Sequence, residues 1–356
     1  MDNRFWNKKT REQTPYVPGE QTAGACIKLN TNENPYPPSP RVRELISQFD
    51  TETLRLYPDP TSSLLKETIA GYYGIDKSQI FLGNGSDEVL ALAFQAFFDQ
   101  TTPIAYPDVT YSFYPVYSSN YSVPSTLILL SEDFTIPIED FKAFPGSIVI
   151  ANPNAPTGVF IELSAIKELL LSNRERLVIV DEAYIDFGGE SAVGLINEFD
   201  NILVVQTVSK SRSLAGLRVG YAMGDLSLVK ALECARDSFN SYTIDTLAQK
   251  IAVVAFEDGA WFENTRAAIM ETRKWTADEL AKIGFVTLPS KANFIFTTHP
   301  DFCASELYEL LREKGILIRY FNKPRIDNFL RISIGTNEQM IQLISTLEKI
   351  VKGEQL

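Results

Sequence analysis

The chain of 356 residues carries a single histidine, His299, in a Thr297-Thr298-His299-Pro300 turn. That scarcity excludes a histidine-rich metal site and argues against a histidine-based triad, so a proton shuttle must be a lysine, a carboxylate or a tyrosine. No metal is expected. Cysteine is scarce too: Cys26, Cys234 and Cys303 lie far apart without metal-ligand spacing, as free thiols in a reducing compartment would. Positive charge is in deficit, with 33 Lys and Arg against 45 Asp and Glu and a net charge of -12. Neither a nucleic-acid partner nor an anionic membrane surface is expected, and an anionic ligand would have to be held by a few local arginines. No apolar run approaches membrane-spanning length, and Met1-Asp2-Asn3-Arg4 is not followed by an apolar signal core. A cytoplasmic protein is the expectation. Nucleotide signatures are incomplete: Glu88 stands where a dinucleotide fingerprint needs glycine, and 19–24 has Walker glycine spacing without the following lysine. Internal repeats and low-complexity segments are missing as well.

What is present suits a large core. Apolar residues make up 45% of the chain and aromatics 11%, and the length predicts one large and one smaller domain. Apolar, β-branched runs predict strands over 80–82, 104–106, 126–130, 147–151, 177–180, 202–205 and 218–223. Helical periodicity falls between them, over 41–49, 62–73, 88–98, 111–118 and 164–171. This alternation predicts an α/β domain on a mostly parallel sheet flanked by helices. Long helices dominate 226–283. Strands at 293–296, 317–320 and 329–334 and helices at 304–314 and 337–351 then predict a smaller α+β domain. Residues 1–30 are polar, with Thr14-Pro15-Tyr16-Val17-Pro18-Gly19 giving an extended or turn-rich arm that packs on something, such as a second subunit. The expected boundaries are 31–240 for the large domain, and 1–30 together with 241–356 for the arm and small domain.

The run at 202–205 leads into Ser209-Lys210-Ser211-Arg212-Ser213-Leu214-Ala215-Gly216-Leu217-Arg218. A lysine after a strand is ordinarily a solvated charge. Here three serine hydroxyls surround it, Gly216 lets backbone approach a ligand, and the Arg218 guanidinium can fork onto a phosphate. A lysine among anion-binding groups is what a Schiff base to a phosphorylated aldehyde requires. Gly83-Asn84-Gly85-Ser86-Asp87 opens a helix and reads either as a phosphate-binding N-terminus or as an ordinary strand-to-helix turn. Tyr106-Pro107-Asp108-Val109-Thr110-Tyr111 ends a strand with rings suited to stacking on a flat ligand or to core packing. Asn152-Pro153-Asn154-Ala155-Pro156-Thr157-Gly158 is a rigid loop rich in amides. Asp181 closes the apolar run Val178-Ile179-Val180, a costly place for an unpaired carboxylate. It reads as a cap, an ion pair, or the partner of a buried cation, with Tyr184 facing the same place.

In this order the motifs resemble those of the fold type I pyridoxal-phosphate aminotransferases, over nearly the whole chain. Within that family the resemblance is strongest to the histidinol-phosphate aminotransferases, through Leu29-Asn30-Thr31-Asn32-Glu33-Asn34-Pro35-Tyr36, Leu56-Tyr57-Pro58, Val180-Asp181-Glu182-Ala183-Tyr184-Ile185-Asp186-Phe187 and Leu330-Arg331-Ile332-Ser333-Ile334-Gly335-Thr336. The resemblance implies a seven-stranded sheet in the large domain, pyridoxal 5'-phosphate as cofactor, a homodimer, and small-molecule substrates. The implied reaction is histidinol phosphate and 2-oxoglutarate to imidazole acetol phosphate and glutamate, in histidine biosynthesis. An aromatic amino-acid aminotransferase, a threonine-phosphate decarboxylase and a non-catalytic pyridoxal-phosphate-binding regulator are the alternatives.

The resemblance also implies roles. Lys210 would carry the cofactor as a Schiff base, Asp181 would hold its ring nitrogen, Tyr184 its 3-hydroxyl, and Tyr111 would stack on the ring. Ser86, Asp87 through its N–H, Ser209 and Arg218 would hold the cofactor phosphate, joined by Tyr57 from the neighbouring subunit. Arg319 and Arg331, with Tyr16 from the partner's arm, would hold the substrate phosphate, and Arg331 the α-carboxylate of the keto acid. Ala155 departs from the family's asparagine directly before Pro-Thr-Gly, and Asn154 is the nearest replacement for its contact with the 3-hydroxyl.

Overall fold

Strands that are apolar at every position need cover on both faces, and such strands build the centre of this molecule. The computed structural model describes residues 4–17, 19–21 and 26–354; Pro18 and Gly24 of the motifs above lie outside the described residues. The strands are β1 Ile27–Lys28, β2 Ile80–Gly83, β3 Ile104–Pro107, β4 Ser125–Ile128, β5 Ser147–Ala151, β6 Val178–Asp181, β7 Ile202–Thr207, β8 Gly220–Gly224, β9 Val286–Thr287, β10 Phe294–Thr298, β11 Ile316–Leu317, β12 Arg319–Tyr320 and β13 Leu330–Ser333. The helices are α1 Lys8–Glu12, α2 Pro40–Ser47, α3 Ser63–Tyr73, α4 Gly85–Phe97, α5 Tyr114–Tyr121, α6 Ile138–Ala143, α7 Leu163–Ser172, α8 Leu226–Asp237, α9 Thr246–Glu257, α10 Gly259–Lys282, α11 Ala304–Glu313 and α12 Asn337–Lys352.

The large sheet has seven strands in the order β2-β8-β7-β6-β5-β3-β4. Only β8 runs against its neighbours β2 and β7; the remaining pairs are parallel. Alternate residues of a strand face opposite sides, so each central strand feeds two cores. Ile148, Ile150, Val178, Val180, Ile202 and Val204 pack with α3, α6, α7 and α9. Val149, Ile179, Leu203 and Val205 pack with α4, α5 and α8 on the other side. The helices thus cover both faces, and the α/β reading with a mostly parallel seven-stranded sheet is borne out.

A second sheet, β12-β13-β10-β9, is antiparallel and shares a core with α10, α11 and α12. β1 pairs in parallel with β11 and carries the start of the chain into this layer. His299 is structural there. Its Nδ1 accepts from the Asp301 N–H at 3.1 Å, its Nε2 faces the Ile283 carbonyl at 3.1 Å, and its ring meets Phe285 and Phe302 edge-on.

Several boundaries differ from the sequence reading. α1 lies inside the arm expected to be extended; Asn7 caps it by accepting from the Thr10 N–H at 2.8 Å, but no buried face marks it. α4 starts at Gly85 instead of 88 because that glycine, at φ 82°, turns the chain straight from β2 into the helix. α5 starts at Tyr114 instead of 111, which leaves Tyr111 on the loop after β3. The run 317–320 divides: Ile316–Leu317 pairs with β1, whereas Arg319–Tyr320 pairs with β13.

Candidate active site

The loops after β2, β3, β5, β6 and β7 converge on one cavity of about 170 Å³, closed on the far side by β12, β13 and the segment 30–32. Ligands of open parallel sheets bind at this edge, beyond the strands' carboxyl ends.

Asp181 is the last residue of β6, in register with Val205 of β7, and the flanking apolar strands bury its carboxylate. Burial pushes its pKa up to about 6, against the opposing donors Tyr114 Oη at 3.0 Å and the Ala183 N–H at 3.2 Å. No salt-bridge partner stands beside it among the described residues. Its neighbour Glu182 faces the other side of the sheet, accepting from Gln206, Ser191 and the Ala192 N–H. Burial pushes the Glu182 carboxyl up to about 7.

Lys210 sits in the turn after β7, with Nζ donating to the Thr31 carbonyl at 3.3 Å. Its backbone is strapped from outside the turn: Asn34 Nδ2 donates to the Lys210 and Ser211 carbonyls at 2.9 and 3.2 Å. Ser211 donates to Asp186. The buried Arg212 guanidinium lies 3.8–4.9 Å from the ring centroids of Phe256, Phe262 and Tyr72. Cation–π contact of this kind, with the bond to the Ala255 carbonyl at 2.8 Å, leaves the turn little freedom. The amine is the free end of an anchored stalk.

At one end of the cavity the first turn of α4 presents the N–H groups that a helix leaves unpaired. Gly85 brings that turn against Arg218, where any side chain would overlap the guanidinium. Gly220 of β8 does the same on the other side, since a Cβ there would overlap the backbone of Gly85 and Ser86. Arg218 donates to Asp87 Oδ2 at 3.2 Å, Tyr111 Oη donates to Asp87 Oδ1 at 2.7 Å, and Ser209 lines the same space. Burial, then the Asp87 charge, pushes the Tyr111 phenol well up, so it stays a neutral ring.

At the other end, Arg319 of β12 and Arg331 of β13 are direct cross-strand partners on one face. Neither has a carboxylate within salt-bridge distance among the described residues. Arg331 is half-buried, donates to the Asn30 carbonyl at 2.8 Å, and keeps its buried Nε without a partner. Burial lowers its pKa, so an anion arriving here meets a poorly solvated cation.

Eleven of the residues singled out from sequence line this one cavity: Tyr16, Ser86, Asp87, Tyr111, Asp181, Tyr184, Ser209, Lys210, Arg218, Arg319 and Arg331. Two do not. Tyr57 is 81% exposed and stacks on Tyr242 at 4.5 Å, outside the cavity. Asn154 is turned toward the loop after β3, donating to the Val109 carbonyl and to Thr157 of its own loop and accepting from Thr110, and Ala155 lines the cavity in its place. Tyr16, assigned above to a partner's arm, lines the cavity of its own chain. Asn32, Asn34 and Tyr114 drew no role from sequence. The amide-rich run Asn30-Thr31-Asn32-Glu33-Asn34 was the available signal for the first two, and Tyr114 sits three residues past Tyr111.

Residues 25–347 match the model of the family described as aminotransferase class I and II. The histidinol-phosphate aminotransferase of Acinetobacter baylyi is 53% identical over 352 residues, covering 98% of each chain. That of Clostridium botulinum is 50% identical over 350 residues, covering 98% of this chain and 99% of the other. Among solved structures, the Sinorhizobium meliloti histidinol-phosphate aminotransferase in complex with pyridoxal-5'-phosphate superposes with a TM-score of 0.88 at 19% identity, covering 98% of both chains. The Clostridium acetobutylicum enzyme gives 0.85 at 24% identity, covering 92% of this chain and 99% of that one. The fold, the convergent strand ends and the full-length likeness agree: this chain belongs to the class I and II aminotransferases, in their histidinol-phosphate aminotransferase branch.

Proposed function

We propose that this protein is a pyridoxal 5'-phosphate-dependent aminotransferase that exchanges the amino group of histidinol phosphate with 2-oxoglutarate. One observation carries the reading: a lysine amine, a buried strand-end carboxylate and an anion cradle at a helix N-terminus share one cavity with two arginines that have no carboxylate partner among the described residues. The residues fit the cofactor in two ways visible in the structure. Asp181 is a buried carboxylate without a cation, which the protonated ring nitrogen would supply. Gly85 and Gly220 let Arg218 and β8 close onto the first turn of α4, which gathers a guanidinium and helix N–H groups where the cofactor phosphate would sit.

When bound, the cofactor supplies an aldehyde for the substrate amine and a ring that takes up electron density from the substrate Cα. Asp181 would hold the ring nitrogen as its charge partner. Tyr111 would lie against the ring and Tyr184 would donate toward the 3-oxygen. The α4 N-terminus at Ser86 and Asp87, with Ser209 and Arg218, would hold the phosphate. Lys210 Nζ would serve as the general base for the substrate Cα proton. Arg319 and Arg331 hold the substrate's anions beside Tyr16, and guanidinium forks accept either a phosphate or a carboxylate.

The same reading includes a homodimer. Leu54, Leu56 and Tyr57 are exposed within one short segment, and its burial against a second copy would carry Tyr57 to the partner's cofactor phosphate. The large unit comprises 31–240 and the small unit 241–356 with the arm, joined by α9, which shares the large sheet's core. The protein works in the cytoplasm.

Lys210→Ala is the direct test. The variant should fold yet lose transamination, while borohydride reduction of the loaded wild type should fix a covalent tag on Lys210 by peptide mapping. Histidinol phosphate should outperform phenylalanine and threonine phosphate as substrate. A tag on another lysine, or full activity in Lys210→Ala, would overturn the assignment.

A further inference from the structure

Asn32 is 1% exposed, lines the cavity and has a left-handed backbone at φ 55°, a conformation that asparagine tolerates better than most residues. It is held there from β13 and from the residue just before β10. Its N–H donates to Ser333 Oγ at 2.8 Å, Ser333 Oγ lies 2.9 Å from its side-chain oxygen, and Asn293 Nδ2 donates to its carbonyl at 3.0 Å. The remaining contact is its Nδ2 to the Tyr184 hydroxyl, 3.0 Å.

Proton counting fixes the direction of every bond in this cluster. A backbone N–H only donates, so Ser333 accepts from it and has its single proton left to give. Ser333 is 2% exposed, and the one side-chain acceptor it meets among the described residues is Asn32 Oδ1. The amide oxygen therefore faces Ser333 and the amide nitrogen faces Tyr184. Tyr184 then receives a hydrogen bond from Asn32, and its own proton must leave in another direction. The side left open is the cavity beside Lys210 and Asp181.

We propose that Asn32, oriented by Ser333, is a positioning residue that obliges Tyr184 to donate its hydroxyl proton into the cavity. The inference rests on the function proposed above, in which that proton meets the cofactor's 3-oxygen and favours its anionic form. It also ties the two halves of the site together, because Ser333 lies two residues beyond Arg331 on β13, whose guanidinium holds the substrate's anion.

Two variants test it. In Asn32→Asp a carboxylate replaces the amide and can only accept, so the Tyr184 proton turns away from the cavity. In Ser333→Ala the amide is free to reverse. Both should raise the apparent pKa of the loaded protein's visible absorbance band by about one unit, a tenfold change in the protonation equilibrium. Both should also lower kcat while leaving KM for histidinol phosphate within about twofold, as expected when an interaction matters mainly at the transition state. In a Tyr184→Phe background neither substitution should move the band further. An unmoved band in both variants, or an equal shift in the Tyr184→Phe background, overturns the relay. In that event a borohydride tag still found on Lys210 leaves the proposed function standing. A wild type without that tag overturns both.

Discussion

Asp181 pairs a titratable group with an energetic cost that depends on whether the site is filled. Its carboxyl, near 3.8 when exposed, moves up to about 6 on burial, so the folded state binds this proton more tightly than the unfolded chain. The stability this provides is fully present below the unfolded value and lost as pH rises through about 6, a loss of roughly 3 kcal/mol for a shift of two units. A bound pyridinium compensates the ionised carboxylate. The cofactor should therefore raise the melting temperature more at pH 7.5 than at pH 5, and bind more tightly there. In Asp181→Asn this pH dependence should vanish and most of the turnover with it; calorimetry and cofactor titration at the two pH values check both. Asp181 was legible in the sequence because it ends a buried run, where a charged side chain is conspicuous, and Lys210 because three serines, Gly216 and Arg218 accompany it. Asn32 was not, since its partner Ser333 lies 301 positions away and nothing local signals the bond. Asn154 shows the opposite failure. Its amide suited a ligand, but it ties the Asn152-to-Gly158 loop to Val109 and Thr110 of the loop after β3 and to its own Thr157.

Elements repeat this division between local and distant causes. α3 begins at Ser63, yet its N-cap residue Ser62 has φ 49° and makes no side-chain cap bond. Asp59 takes over: its Oδ2 accepts from the Ser63 N–H at 2.7 Å and its Oδ1 from the Thr61 N–H at 2.9 Å. Partial burial raises the carboxyl, but these donors outweigh it and hold Asp59 down at about 2. Its contribution is present above the usual carboxylate value and lost as pH falls through about 2. Asp59→Ala should cost about 1 kcal/mol in chemical denaturation at neutral pH, as the loss of a helix cap does. Variant and wild type should converge in strong acid. Parallel strands and amphipathic helices were readable because their apolar periodicity is a direct image of burial. α1 was not, having no buried side. The division of 317–320 between two sheets was equally hidden, because β1 and β13, which claim its two ends, come from opposite ends of the chain.

For the whole molecule, the exposed side chains around Tyr57 predict the assembly. Leu56→Asp should shift the protein toward monomer in analytical ultracentrifugation and reduce kcat/KM, because Tyr57 could no longer reach a second site. Unchanged sedimentation and turnover would count against the proposed dimer. The segment at 30–34 has a consequence of its own. It contacts the Lys210 amine and carbonyl, the Tyr184 hydroxyl and the Arg331 guanidinium, and it is fastened in turn by Ser333. A growing polypeptide leaves the ribosome from its amino end, so these early residues wait for about three hundred successors before the last of their partners, Arg331 and Ser333, exist. The cavity is therefore complete only once β13 has been made and has docked against this segment.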